Sequence, residues 1–144
     1  MSDVVIKSEH IHIIEGLKLV LVSHNSLLDQ QSVGNVISEL KNNPFFHEEY
    51  VVLIDIRNAN TKLSLEEIEK LSDFVFQNLA ETGVKKFAIL ATISQINKTV
   101  HFVRNYRQSY KYQVFSSIEA ALHWLQVPIQ RKTQIEIRLR YMYC

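Results

Sequence analysis

Hydrophobic positions divide this chain into short β-type runs and amphipathic helical stripes that alternate along its length. Ile11 and Ile13 alternate with His10 and His12, the two-residue period of a half-buried strand. The next run, Leu17 to Val22, is more uniformly apolar and predicts a more central strand. Gly16 between them suits the tight turn of a hairpin. Val33, Val36, Ile37 and Leu40 recur at helical spacing. Ser26 is the expected cap of that helix, Asp29 falls in its first turn, and Asn42-Asn43-Pro44 stops it. Val51 to Ile56 is an almost unbroken β-branched run, the pattern of a strand covered on both faces in a parallel sheet.

Leu65, Ile68, Leu71, Val75 and Leu79 line one side of a helix opening at Ser64 and ending at Gly83. Phe87 to Ala91 predicts a third central strand, and Ile96, Val100, Val103 and Tyr110 a further helix. Tyr112 to Phe115 reads as a short strand. Ser116-Ser117-Ile118-Glu119 reads as a capping box for a helix carrying Ile118, Ala121, Leu122 and Leu125, with Pro128 just beyond it. The order is a β-hairpin followed by α-β-α-β-α-β-α. It predicts an α/β domain over residues 1–128, with a mostly parallel sheet and about four helices. In residues 129–144, Ile135, Ile137, Leu139, Tyr141 and Tyr143 alternate with Glu136, Arg138 and Arg140. This extension is expected to be an edge strand of the same sheet, or a strand that pairs with a second chain to form a homodimer.

Composition narrows the class without naming a reaction. The 144 residues suit one domain, 47% of them are hydrophobic, and the formal net charge is +1. That balance gives no global field for nucleic acid, so no nucleic-acid partner is expected. The only cysteine is Cys144, so no internal disulfide is expected. Met1-Ser2-Asp3 opens no signal peptide and no apolar run spans a bilayer, which leads us to expect a cytoplasmic protein without a transmembrane segment.

Candidate chemistry gathers after the third run. Asp55 ends it, and open α/β sheets bind ligands just outside such strand ends. Arg57, Asn58, Asn60 and Thr61 follow Asp55, and Thr92 and Ser94 follow the next strand. These seven residues are the candidate ligand- or partner-binding set. The competing reading of Asp55 is a turn-setting acceptor of its own loop's hydrogen bonds. Ser64 and Glu67 have capping-box spacing, and Ser64 is also the candidate phosphoacceptor. His10 and His12 share a strand face without a third ligand, so no metal is expected. Lys98, His101, Arg104, Arg107 and Lys111, with Tyr106 and Tyr110 among them, form a basic helix side read as solvated. With three glycines and no phosphate-loop or nucleophile-elbow motif, no cofactor and no catalytic residue are expected.

The element order over about Glu9 to Val127 resembles the STAS fold, the family of the SpoIIAA anti-sigma-factor antagonists. In that family a phosphorylatable Ser lies nine residues after the acid or amide ending a central strand, and Ser64 stands at that distance from Asp55. Leu63, Leu65 and Glu66 stand where the motif has Asp, Ser and Gly. Phe115 to Leu125 also resembles the closing helix of SpoIIAA-like and STAS/SEC14-like bacterial proteins. The resemblance implies a non-enzymatic regulatory or interaction module that binds a protein partner or small ligand at the strand-end loops. A second resemblance, of Val51 to Arg57 to the phosphoacceptor strand of receiver domains, implies phosphotransfer at Asp55. It meets Ser23-His24-Asn25 where receivers carry their metal-binding acids. The third alternative is a SEC14-like small-molecule or lipid-binding domain with a cavity beneath the Ile96 helix.

Overall fold

The computed structural model describes residues 5–7, 11–47, 49–104 and 111–142. They form one six-stranded sheet with five α-helices. The strands are β1 (Val5–Lys7), β2 (Ile11–Ile14), β3 (Leu19–Ser23), β4 (Val51–Asp55), β5 (Lys86–Leu90) and β6 (Tyr112–Phe115). They lie side by side in chain order. Antiparallel pairs join β1 to β2 and β2 to β3, whereas β3, β4, β5 and β6 run parallel. The β-branched run before Asp55 is therefore a central strand with a parallel neighbour on each side. β1 was not among the predicted strands. It makes β2 an internal strand, so half-buried His12 does not stand on a free edge.

The helices are α1 (Gln30–Asn42), α2 (Leu65–Ala80), α3 (Ile96–Val103), α4 (Ile118–Trp124) and α5 (Lys132–Tyr141). With parallel strands in unbroken sequential order, crossovers of one hand place α1, α2 and α3 on the same face. That face is closed by Val20, Val22, Val52, Phe87 and Ile89 against Val33, Ile37, Leu71, Val75 and Val103. After β6 the chain passes to the other face, where α4 and α5 cover Leu19, Leu21, Leu53, Ala88 and Leu90.

Several local expectations shift. The hairpin turn places Lys18, not Gly16, in the left-handed region at φ 49°, and Gly16 sits in a single 3-10 turn. Asp29, not Ser26, caps α1, its carboxylate accepting from the Ser32 N–H at 2.8 Å. α2 stops at Ala80, short of Gly83, and Leu65 on its first turn is exposed. Ser117 rather than Ser116 caps α4, and Glu119 accepts from the Ser117 hydroxyl at 2.7 Å instead of closing a box.

The largest correction concerns the C-terminal extension, which is the helix α5 and not a strand. Alternating apolar residues contain pairs four apart, and Ile135 and Leu139 use that spacing to reach the second core fully buried. Ile137 and Tyr141, which a strand would place beside them, are exposed. α4 is only seven residues long, and Ile135 and Leu139 of α5 complete the cover of this hydrophobic sheet face. Strand pairing with a second chain through this segment falls with the strand, and the extension belongs to the domain core. His10, Tyr106, Arg107 and Tyr110 lie outside the described residues.

Candidate functional site

The predicted loops do gather at the carboxyl ends of the parallel strands. The His24 N–H donates to the Asp55 carbonyl at 3.0 Å, the Asn60 N–H to the Ser26 carbonyl at 3.0 Å and the Leu28 N–H to the Asn60 carbonyl at 3.1 Å. The loops after β3 and β4 are thus joined backbone to backbone. Gln95, buried at the start of α3, fixes them to the third loop. Its side-chain N–H donates to the Ile56 carbonyl at 2.9 Å, while its Oε1 accepts from the Thr92 N–H at 2.9 Å.

This architecture absorbs most of the predicted site residues. Asp55 is 0% exposed. Its Oδ1 accepts from the Arg57 backbone N–H and Nε, each at 3.0 Å, and its Oδ2 from Arg57 Nη2 at 2.9 Å. A carboxylate gripped at both oxygens by one guanidinium and hidden from solvent presents no face to a phosphoryl donor. Among the described residues no cluster of three or more metal-ligating side chains exists to bring a divalent ion to it. Asn60 Oδ1 accepts from the Lys62 N–H at 3.0 Å and sets its turn. Thr92 caps the 3-10 turn before α3, and its hydroxyl lies 3.0 Å from that of exposed Ser94. Asn58 is exposed on the loop.

Ser64 forms the full capping box with Glu67. Its Oγ accepts from the Glu67 N–H at 3.1 Å, and its own N–H donates to Glu67 Oε1 at 3.0 Å. The Ser64 backbone N–H, with its hydroxyl, holds the Glu67 carboxyl below its ordinary range. The hydroxyl is exposed, but two acids, Glu66 and Glu67, crowd the same helix end.

Of the seven binding candidates, only Thr61 lines a cavity of about 90 Å³ that lies between the sheet and the α1–α2–α3 layer. Apolar side chains make its walls, with Val36 and Ile37 from α1, Val52 and Ile54 from β4, Leu71 and Val75 from α2, and the rings of Phe87 and Phe102. Polar groups line it only at the loop end, where His24, Thr61, Lys98 and Thr99 meet. Three of these escaped the sequence reading. His24 looked like a scattered histidine, yet it is buried, with Nε2 3.3 Å from both the Leu27 carbonyl and the Ser26 hydroxyl. Thr99 is buried and donates to the Gln95 carbonyl at 2.9 Å. Lys98 looked like one cation of a solvated helix side, yet it turns back and donates to the Thr61 carbonyl at 3.0 Å. Arg104 is exposed, as the solvated reading expects, whereas His101 is half-buried, its Nε2 3.3 Å from the exposed Glu69 carboxylate.

No helix among the described residues is long and apolar enough to cross a membrane. Compared with known proteins, the chain matches no family model, no curated protein and no solved structure.

Proposed function

We propose that this protein is a non-enzymatic, STAS/SEC14-like regulatory module that binds a small apolar ligand in the cavity beneath α3. The observation that carries the reading is the void itself. Native interiors pack with few spaces larger than a water molecule, and this one, at about 90 Å³, is walled almost wholly by apolar carbon, aliphatic and aromatic. A space so lined gains by taking up apolar matter: an engineered apolar cavity of about 150 Å³ takes up benzene. The element order of a hairpin followed by alternating helices and strands supports the STAS-like kinship. Phosphotransfer finds no support in the geometry of Asp55, and the Ser64 hydroxyl is accounted for by its cap.

The test is methyl NMR of the full chain during titration with xenon and short aliphatic alcohols. Saturable shifts confined to Val36, Val52, Leu71 and Val75 are expected. Shifts scattered over the surface, or none at saturating xenon, would remove the ligand reading. Native mass spectrometry of protein purified from cells supplies a second readout, a retained small mass that denaturation releases.

A further inference from the structure

We propose that the ligand is a short-chain aliphatic carboxylate, its chain among the valines of the cavity and its carboxylate on the Lys98 ammonium. The inference rests on the ligand-binding reading above and adds the chemistry of the head group.

Among the described residues Lys98 is the only lysine or arginine lining the cavity, and no aspartate or glutamate lines it. The side chain is half-buried, and its ammonium donates to the Thr61 carbonyl at 3.0 Å. Among the described residues no carboxylate lies in ion-pair range of it. An ammonium has three N–H donors, and this one meets a single neutral acceptor. A cation partly withdrawn from water and left with a carbonyl dipole is an incomplete arrangement. An anion arriving at the cavity end gives the ammonium a charged partner, through charge-assisted hydrogen bonds stronger than neutral ones.

The neighbouring polar groups do not compete for the anion. The Thr99 hydroxyl is committed to the Gln95 carbonyl, and His24 Nε2 lies among the Leu27 carbonyl and the Ser26 and Ser32 hydroxyls. One point charge without a guanidinium fork or a nest of backbone N–H groups suits a singly charged carboxylate better than a phosphate. The volume sets the chain. At about 90 Å³ the space limits an aliphatic tail to a short one, and its apolar lining suits such a tail.

The experiment is calorimetric titration of the full chain with hexanoate and with hexan-1-ol, in the wild type and in Lys98→Met. Methionine keeps the length and apolar stem and removes the charge. The wild type should bind hexanoate about tenfold more tightly than the alcohol, the worth of one charge-assisted contact. Lys98→Met should erase that preference and leave alcohol binding unchanged. Equal affinity for acid and alcohol in the wild type, or an acid preference that survives Lys98→Met, would overturn the carboxylate assignment while the cavity reading stands. Absence of binding by both ligands would defeat the cavity reading and this one together. Circular dichroism confirms that the variant is folded, and Lys98→Arg, which keeps the charge, should retain part of the preference.

Discussion

Arg57 and Ser64 are where single side chains decide most. Arg57 is the visible counter-ion of a carboxylate with no exposure, and its own side chain is 35% exposed. Replacing it with Ala removes two charge-assisted hydrogen bonds from buried Asp55. We expect a loss of about 2–4 kcal/mol in urea unfolding, scaled down from a fully buried pair because the guanidinium touches water. A loss below about 1 kcal/mol would mean that the pair does not hold the loop. Ser64→Ala removes one helix cap and should cost about 1 kcal/mol by the same measurement, with no change in ligand titrations. The turn set by Asp55 and the Ser64 cap were legible beforehand, because an acid before its own loop and Ser-x-x-Glu are local patterns; the Arg57 pairing was not, since that residue read as a binding candidate. Lys98 was not: the helix it lies on tells which residues share a side, but not that a four-carbon stem doubles back across a neighbouring loop.

At the scale of elements, α5 is the piece that sequence period misjudged. A helix and a strand make different demands on Ile137 and Leu139. Leu139→Ala should cost about 2–5 kcal/mol, the usual range for a leucine lost from a core. Ile137→Ala should stay within about 0.5 kcal/mol, because Ile137 points to solvent. A strand in this place would make both substitutions costly. α5 is also tied to α4 by charge, since the Lys132 ammonium bonds to the Glu119 carboxylate. That ammonium, helped by the Ser117 hydroxyl, lowers the Glu119 pKa from its ordinary 4.5 to about 2. Because the folded value lies below the unfolded one, the contribution is present above pH 4.5 and fades as pH falls toward 2. A Glu119→Gln variant should therefore differ most from the wild type near neutrality and converge with it in acid. A constant difference across that window would contradict the pairing.

Across the whole molecule, the fold class and the sheet's direction could be read from the chain, whereas its void could not. Alternating strand and helix periods report which residues face inward. They carry no information on whether the facing volumes match, and the cavity is a mismatch of volumes between α1, α2 and the sheet. If it is a binding space kept open at some cost in packing, closing it should raise stability. Val75→Leu should stabilise by about 0.5–2 kcal/mol and weaken ligand binding together. A variant that is stabilised yet binds hexan-1-ol as before would place the ligand elsewhere.

The unbroken order of the six strands bears on how the molecule comes into being. Each new βα unit finds its partner strand already laid down by the segment just before it, so the sheet widens at one margin as the chain leaves the ribosome, with short loop closures throughout. The exception is α5, which returns from the far side to rest on β3. That long-range closure should come last and should be the first protection lost in hydrogen exchange, leaving the cavity side assembled while the part of the opposite face over β3 is uncovered.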